Sequence, residues 1–142
     1  FPKRYSFEKE ISFSPESNCN FRGNPLTSDP VRYQRMLDVY EAEPGLKVGG
    51  PTYGWLRAAF HSMRRARQTR YLRKITTPSL LVSAAADTVV DPSTHEPAAN
   101  AMPNCEFLRI YDAKHEVLHE NDDIRGCFFR AFDRHILKEK RY

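Results

Sequence analysis

Two residues in this sequence have the types and spacing for acid–base chemistry. Asp87 directly follows the apolar run at residues 80–86. His115 comes a short loop after a second apolar run, residues 106–111. In an open parallel sheet, reactive groups gather beyond the carboxyl ends of the strands. If the two runs are neighbouring strands, both side chains reach the same edge of the sheet. A carboxylate there can fix the tautomer of an imidazole and stabilise its protonated form, while the second ring nitrogen faces a nucleophile. Asp91, in the same loop, is the second choice of acid. The plainer alternative for such residues is that they only cap helices or turns.

The run His115-Glu116-Val117-Leu118-His119 also spells H-E-x-x-H. On a helix, histidines at i and i+4 share a face and can bind one zinc, with the glutamate as general base. Here the match follows a strand and a short loop, whereas a zinc protease places it well inside a helix. A third ligand is also needed; Glu120 is adjacent and wrongly directed, and Glu139 is distant. Zinc metallohydrolysis is therefore the lesser alternative. Cys19, Cys105 and Cys127 are odd in number and form no C-x-x-C pair. They read as reduced thiols rather than as a zinc site or a disulfide framework. His61, His95 and His135 have no evident partner and read as exposed or capping residues.

The positioning elements follow from punctuation and period. Asp29 before Pro30 is a helix start, with Tyr33, Met36, Leu37 and Tyr40 on one face, and Pro44-Gly45 is its stop. A second helix carries Trp55, Leu56, Ala59, Phe60 and Met63 on one side; helix packing on helix is the expected use of both stripes. Residues 80–86 suit a buried parallel strand. Asp91-Pro92 starts a short helix reaching towards Met102, which Pro97 should kink or shorten. Residues 106–111 form the second strand. Asp122 or Asp123 caps a last helix with Ile124, Cys127, Phe128, Ala131, Phe132 and Ile136 at helical spacing. Residues 1–23 show no steady period and read as irregular. From residue 80 onward the order is βαβα, which implies a parallel pair.

Composition excludes several classes. At 142 residues, 40% apolar and 28% charged, the chain is neither a membrane protein nor a disordered tail. The apolar run at 80–86 is far too short to span a bilayer, and no leader opens the chain. Its first residue is Phe1, so it is expected to begin inside a longer protein. The net charge of +4 is modest. Arg64, Arg65, Arg67, Arg70, Arg73 and Lys74 form a basic cluster, read first as a solvated helix end and second as a surface for anionic lipid. No RNP-like motif or zinc-finger spacing supports nucleic-acid binding.

Several motifs together carry a family likeness: Leu26-Thr27-Ser28, Arg32-Tyr33, the run Val48-Gly49-Gly50-Pro51-Thr52-Tyr53-Gly54-Trp55, Ala86-Asp87, Val89-Val90-Asp91, and Lys114-His115-Glu116-Val117-Leu118-His119-Glu120. Through them the chain resembles lysophospholipase L2 and the related monoacylglycerol-lipase-type α/β hydrolases. The resemblance implies the C-terminal part of an α/β-hydrolase fold, with residues 1–74 a mostly helical cap and residues 75–142 the last βαβα part of the core. It implies Asp87 as triad acid and His115 as triad base, in the family's chain order Ser, Asp, His. Tyr53, Trp55 and Phe60 become cap candidates for contact with an acyl chain. The implied substrate is a lipid ester, no cofactor is called for, and the implied location is cytoplasmic or peripheral at a membrane. The sequence departs from the family at one point: it contains no G-x-S-x-G. The nucleophile elbow and oxyanion hole precede the cap in this family. The expectation is thus that the serine lies outside this chain, in the missing N-terminal half of the fold, and that the chain alone is inactive. The alternative is a non-catalytic binding or interaction module.

Overall fold

Local signals set most element boundaries in the computed structural model, which describes residues 21–47 and 50–139. The expectation of irregular structure over residues 1–23 lies outside the described residues, apart from a 3₁₀ turn at Phe21–Gly23. Helix α1 (Pro30–Ala42) starts as its sequence dictates. The Asp29 side chain accepts from the N–H groups of Val31 and Arg32, and Pro30 occupies the first turn. Tyr33 is the buried residue of its stripe and packs on Phe21, ring centroids 5.8 Å apart. A 3₁₀ turn, Pro44–Leu46, follows the helix end.

Helix α2 (Tyr53–Ala66) is capped by Thr52, whose hydroxyl accepts from Trp55 N–H. The short helix α3 (Thr69–Leu72) follows and buries Leu72. The expected packing of the α2 stripe is largely not found: Trp55, Phe60 and Met63 are exposed, and only Leu56 and Ala59 are half-buried. The basic cluster, expected at one helix end, instead spans the end of α2, the whole of α3 and the turn beyond.

Strands β1 (Ser79–Ala84) and β2 (Cys105–Ile110) pair in parallel, with Ser79 opposite Cys105 and Ala84 opposite Ile110. Both end earlier than the apolar runs suggest. Ala85 and Ala86 continue as a turn, and Tyr111 is largely exposed. Because side chains alternate along a strand, the sheet has two distinct faces. On one, Val82, Ala84, Leu108 and Ile110 pack with Ile124, Cys127 and Phe128 of helix α5 (Asp122–Glu139). On the other, Ser83 meets His95 at 2.9 Å and Arg109 meets Glu96 at 2.8 Å, both partners belonging to helix α4 (His95–Ala101).

Three local expectations need correction. Pro97 does not lie inside a helix begun at Pro92, since α4 starts only at His95. It sits in the first turn, where its missing N–H has no partner to lose, after a 3₁₀ turn (Pro92–Thr94) capped by Asp91. The cap of α5 is Asn121, not Asp122 or Asp123: its side chain accepts from Ile124 N–H and its carbonyl from Arg125 N–H. The histidines also differ from expectation, since His95 pairs with Ser83 and His135 is buried against Glu106 at 3.4 Å. His61 is exposed, as expected.

Candidate active site

The parallel register carries the two strand ends forward together. Beyond β1 and β2, Ala85 N–H donates to Ile110 carbonyl at 2.9 Å and Ala86 N–H to Ala113 carbonyl at 3.0 Å. The pairing therefore continues into the loops and leaves residue 87 beside residue 115. There, Asp87 Oδ2 and His115 Nδ1 are 2.8 Å apart. The Asp87 side chain is only 4% exposed and that of His115 31%. Its other oxygen, Oδ1, accepts from the N–H groups of Val89 (2.7 Å) and Val90 (3.1 Å). Burial alone would push the Asp87 carboxyl up. The hydrogen bond from His115 and those from Val89 and Val90 outweigh it and hold the carboxyl below its ordinary value. An ionised aspartate in that position takes Nδ1–H from His115 and leaves Nε2 as the basic nitrogen.

Asp91, the second choice of acid, is directed elsewhere. Its side chain accepts from Ser93 N–H and caps the turn ahead of α4. The H-E-x-x-H run is not helical: His115 lies before a single 3₁₀ turn, Val117–His119, with Glu116 at its start. His119 approaches Glu116 at 3.6 Å, and Glu120 faces away into the protein. This geometry does not give the i, i+4 zinc face that the motif requires. The side chain of Glu139 lies outside the described residues.

Glu120 is the site-loop residue whose role the sequence reading missed. It is fully buried. Its Oε1 accepts from Lys114 N–H at 2.9 Å, and its Oε2 accepts from Ser28 N–H at 3.0 Å and Ser28 Oγ at 2.5 Å. The segment before α1 is thereby fastened to the histidine loop. Glu116 N–H donates to Leu26 carbonyl (2.8 Å), His115 N–H to Pro25 carbonyl (3.4 Å), and Thr27 Oγ1 to His119 carbonyl (2.8 Å). Arg32 donates to the Glu120 carbonyl and to Asp122. The signal available in sequence was the co-occurrence of Leu26-Thr27-Ser28 and Glu120 among the family-like motifs, without any hint that they touch.

Tyr53, Trp55 and Phe60 lie on α2 and are 60%, 60% and 61% exposed. A shallow groove there is lined by Arg57, Phe60, His61 and Arg64 among others.

Comparison with known proteins gives the family. The family model described as serine aminopeptidase, S33, matches residues 9–122, well over half of the chain. The chain belongs to this family. Among its relatives, a probable lysophospholipase L2 of Haemophilus influenzae is 31% identical over 135 residues, covering 95% of this chain and 41% of the relative. Lysophospholipase L2 of Escherichia coli K12 is 32% identical over 126 residues, covering 81% of this chain and 36% of the relative. The chain thus spans about two fifths of the length of these relatives. A soluble variant of monoglyceride lipase from Saccharomyces cerevisiae, solved with a substrate analog, superposes with a TM-score of 0.65 over 80% of this chain and 40% of that one. At 17% identity this is a likeness of fold. Fold and family agree on part of an α/β-hydrolase fold.

Proposed function

We propose that this chain supplies the acid and the base of a Ser-His-Asp triad in an ester hydrolase acting on lysophospholipids or monoacylglycerols. The observation that carries the reading is the 2.8 Å contact between the buried, hydrogen-bonded Asp87 and the half-buried His115. The names borne by the relatives favour a lipid ester over a peptide as substrate. In this scheme a serine outside the chain attacks the ester carbonyl and passes its proton to His115 Nε2. Collapse of the tetrahedral intermediate forms the acyl-enzyme as His115 returns the proton to the leaving alkoxide. Water then hydrolyses the acyl-enzyme by the same relay. Asp87 holds the tautomer and stabilises the imidazolium. Residues 1–74 act as a cap and residues 75–142 as core in this scheme, and Tyr53, Trp55 and Phe60 offer apolar surface to the acyl chain.

The test is fluorophosphonate labelling and monoacylglycerol and lysophospholipid hydrolysis by the serine-bearing protein. His115→Ala should lose both. Asp87→Asn should lower kcat on the order of 10⁴-fold, because its amide stabilises the wrong tautomer. This chain alone should take up no label. Equal labelling and turnover in wild type and both variants would refute the assignment.

A further inference from the structure

We infer that Glu120 is a positioning residue for His115, an inference that rests on the reading of His115 as the base. The Glu120 carboxyl group is fully buried and accepts hydrogen bonds from both flanking segments. Oε1 takes the N–H of Lys114, the residue immediately before His115. Oε2 takes the N–H and hydroxyl of Ser28, with Thr27 Oγ1 further off at 3.4 Å. The carboxylate therefore bridges the histidine loop and the segment that leads into α1, one oxygen to each.

The same bridge is reinforced on either side. Lys114 Nζ donates to Asn24 carbonyl at 3.0 Å, and the Arg32 guanidinium donates to the Glu120 carbonyl. Asn24 and Thr27 are themselves buried, and Asn24 Oδ1 accepts from the N–H groups of Leu26 and Thr27. The Asp87 side of the pair is fixed separately, by Val89 and Val90 N–H. The base stands in a loop whose 3₁₀ turn, Val117–His119, begins only after it, so its place opposite Asp87 depends on what pins that loop. The Glu120 side chain touches both Lys114, beside His115, and Ser28 of the segment that leads into α1. A small displacement of a reacting group costs rate far more than it costs binding.

Glu120→Gln tests this, because it keeps the shape but turns one acceptor into a donor that must face an N–H or O–H. In the serine-bearing protein, kcat should fall on the order of 10- to 100-fold with KM within about twofold. The low-field proton resonance of the His115–Asp87 hydrogen bond, assigned by its loss in His115→Ala, should weaken or shift. Unchanged kcat and an unchanged resonance would overturn the inference, even if the melting temperature drops, since a purely structural role predicts that pattern. Should Glu120→Gln not fold, Ser28→Ala removes one donor only. It should give a smaller fall in kcat that Ser28→Thr restores, and a wild-type kcat in Ser28→Ala would equally overturn it. Full activity in His115→Ala would instead sink the parent reading, whatever Glu120 does.

Discussion

At the scale of single residues, the Asp87 carboxyl combines little solvent with three hydrogen-bond donors. Its lowered pKa ties it to stability with a definite sign. The unfolded chain binds the proton more readily, so the contribution is complete above the ordinary carboxylate value of about 3.9 and disappears as pH falls through the lower folded value. Asp87→Asn lacks this dependence. Urea unfolding of both proteins at stepped pH should show a stability gap that is constant near neutrality and narrows below about pH 4. A gap indifferent to pH in that range would mean that the contact holds no proton-linked stability. Residue type and place after the strands made Asp87, Asp91 and His115 the candidates, and the family resemblance favoured Asp87 over Asp91. Glu120 escaped the same reading because its partners Thr27 and Ser28 lie more than ninety positions earlier.

At the scale of elements, α5 shows how a correct element can carry a misassigned detail. Its apolar period was plain, and Ile124 and Ala131 are buried as that period requires. The cap was expected at Asp122 or Asp123, and backbone direction placed it one residue earlier. Asn121 meets the free N–H of Ile124, while Asp122 turns outward to Arg32 and Arg125. Asn121→Ala should therefore destabilise the protein by about 1 kcal/mol in chemical denaturation. Asp123→Ala, within the first turn but outside this cap, should cost less. The reverse ranking would return the cap to the aspartates. Buried His135 was similarly hidden. Its place on the apolar face of α5 became intelligible only once β2 presented Glu106 to it, with Lys138 holding the same carboxyl below its ordinary value.

At the scale of the whole molecule, α2 exposes Trp55, Phe60 and Met63, and Phe60 lines one groove with Arg57 and Arg64. Arg65 stacks on Tyr71 at 5.3 Å, so part of the cluster is ordered on an aromatic ring. Among the described residues no helix is long and apolar enough to cross a membrane. If this surface meets an anionic bilayer, each cation near it is worth about 1 kcal/mol. Replacing Arg64, Arg65 and Arg67 by Gln should weaken sedimentation with phosphatidylserine vesicles at low salt and leave phosphatidylcholine vesicles unaffected; unchanged sedimentation would remove the idea. By itself the sequence determined the order of helices and strands, the parallel pairing and the two titratable residues at the strand ends, because these follow from short-range period, capping and chain direction. Only the tertiary structure decided that Asp87 rather than Asp91 faces the imidazole, that the histidine run is a loop and not a metal-binding helix, and that Glu120 binds the segment that leads into α1. Each of those outcomes is a contact between segments remote in sequence, and such contacts are selected by the shared desolvation of the groups involved, which no local pattern records.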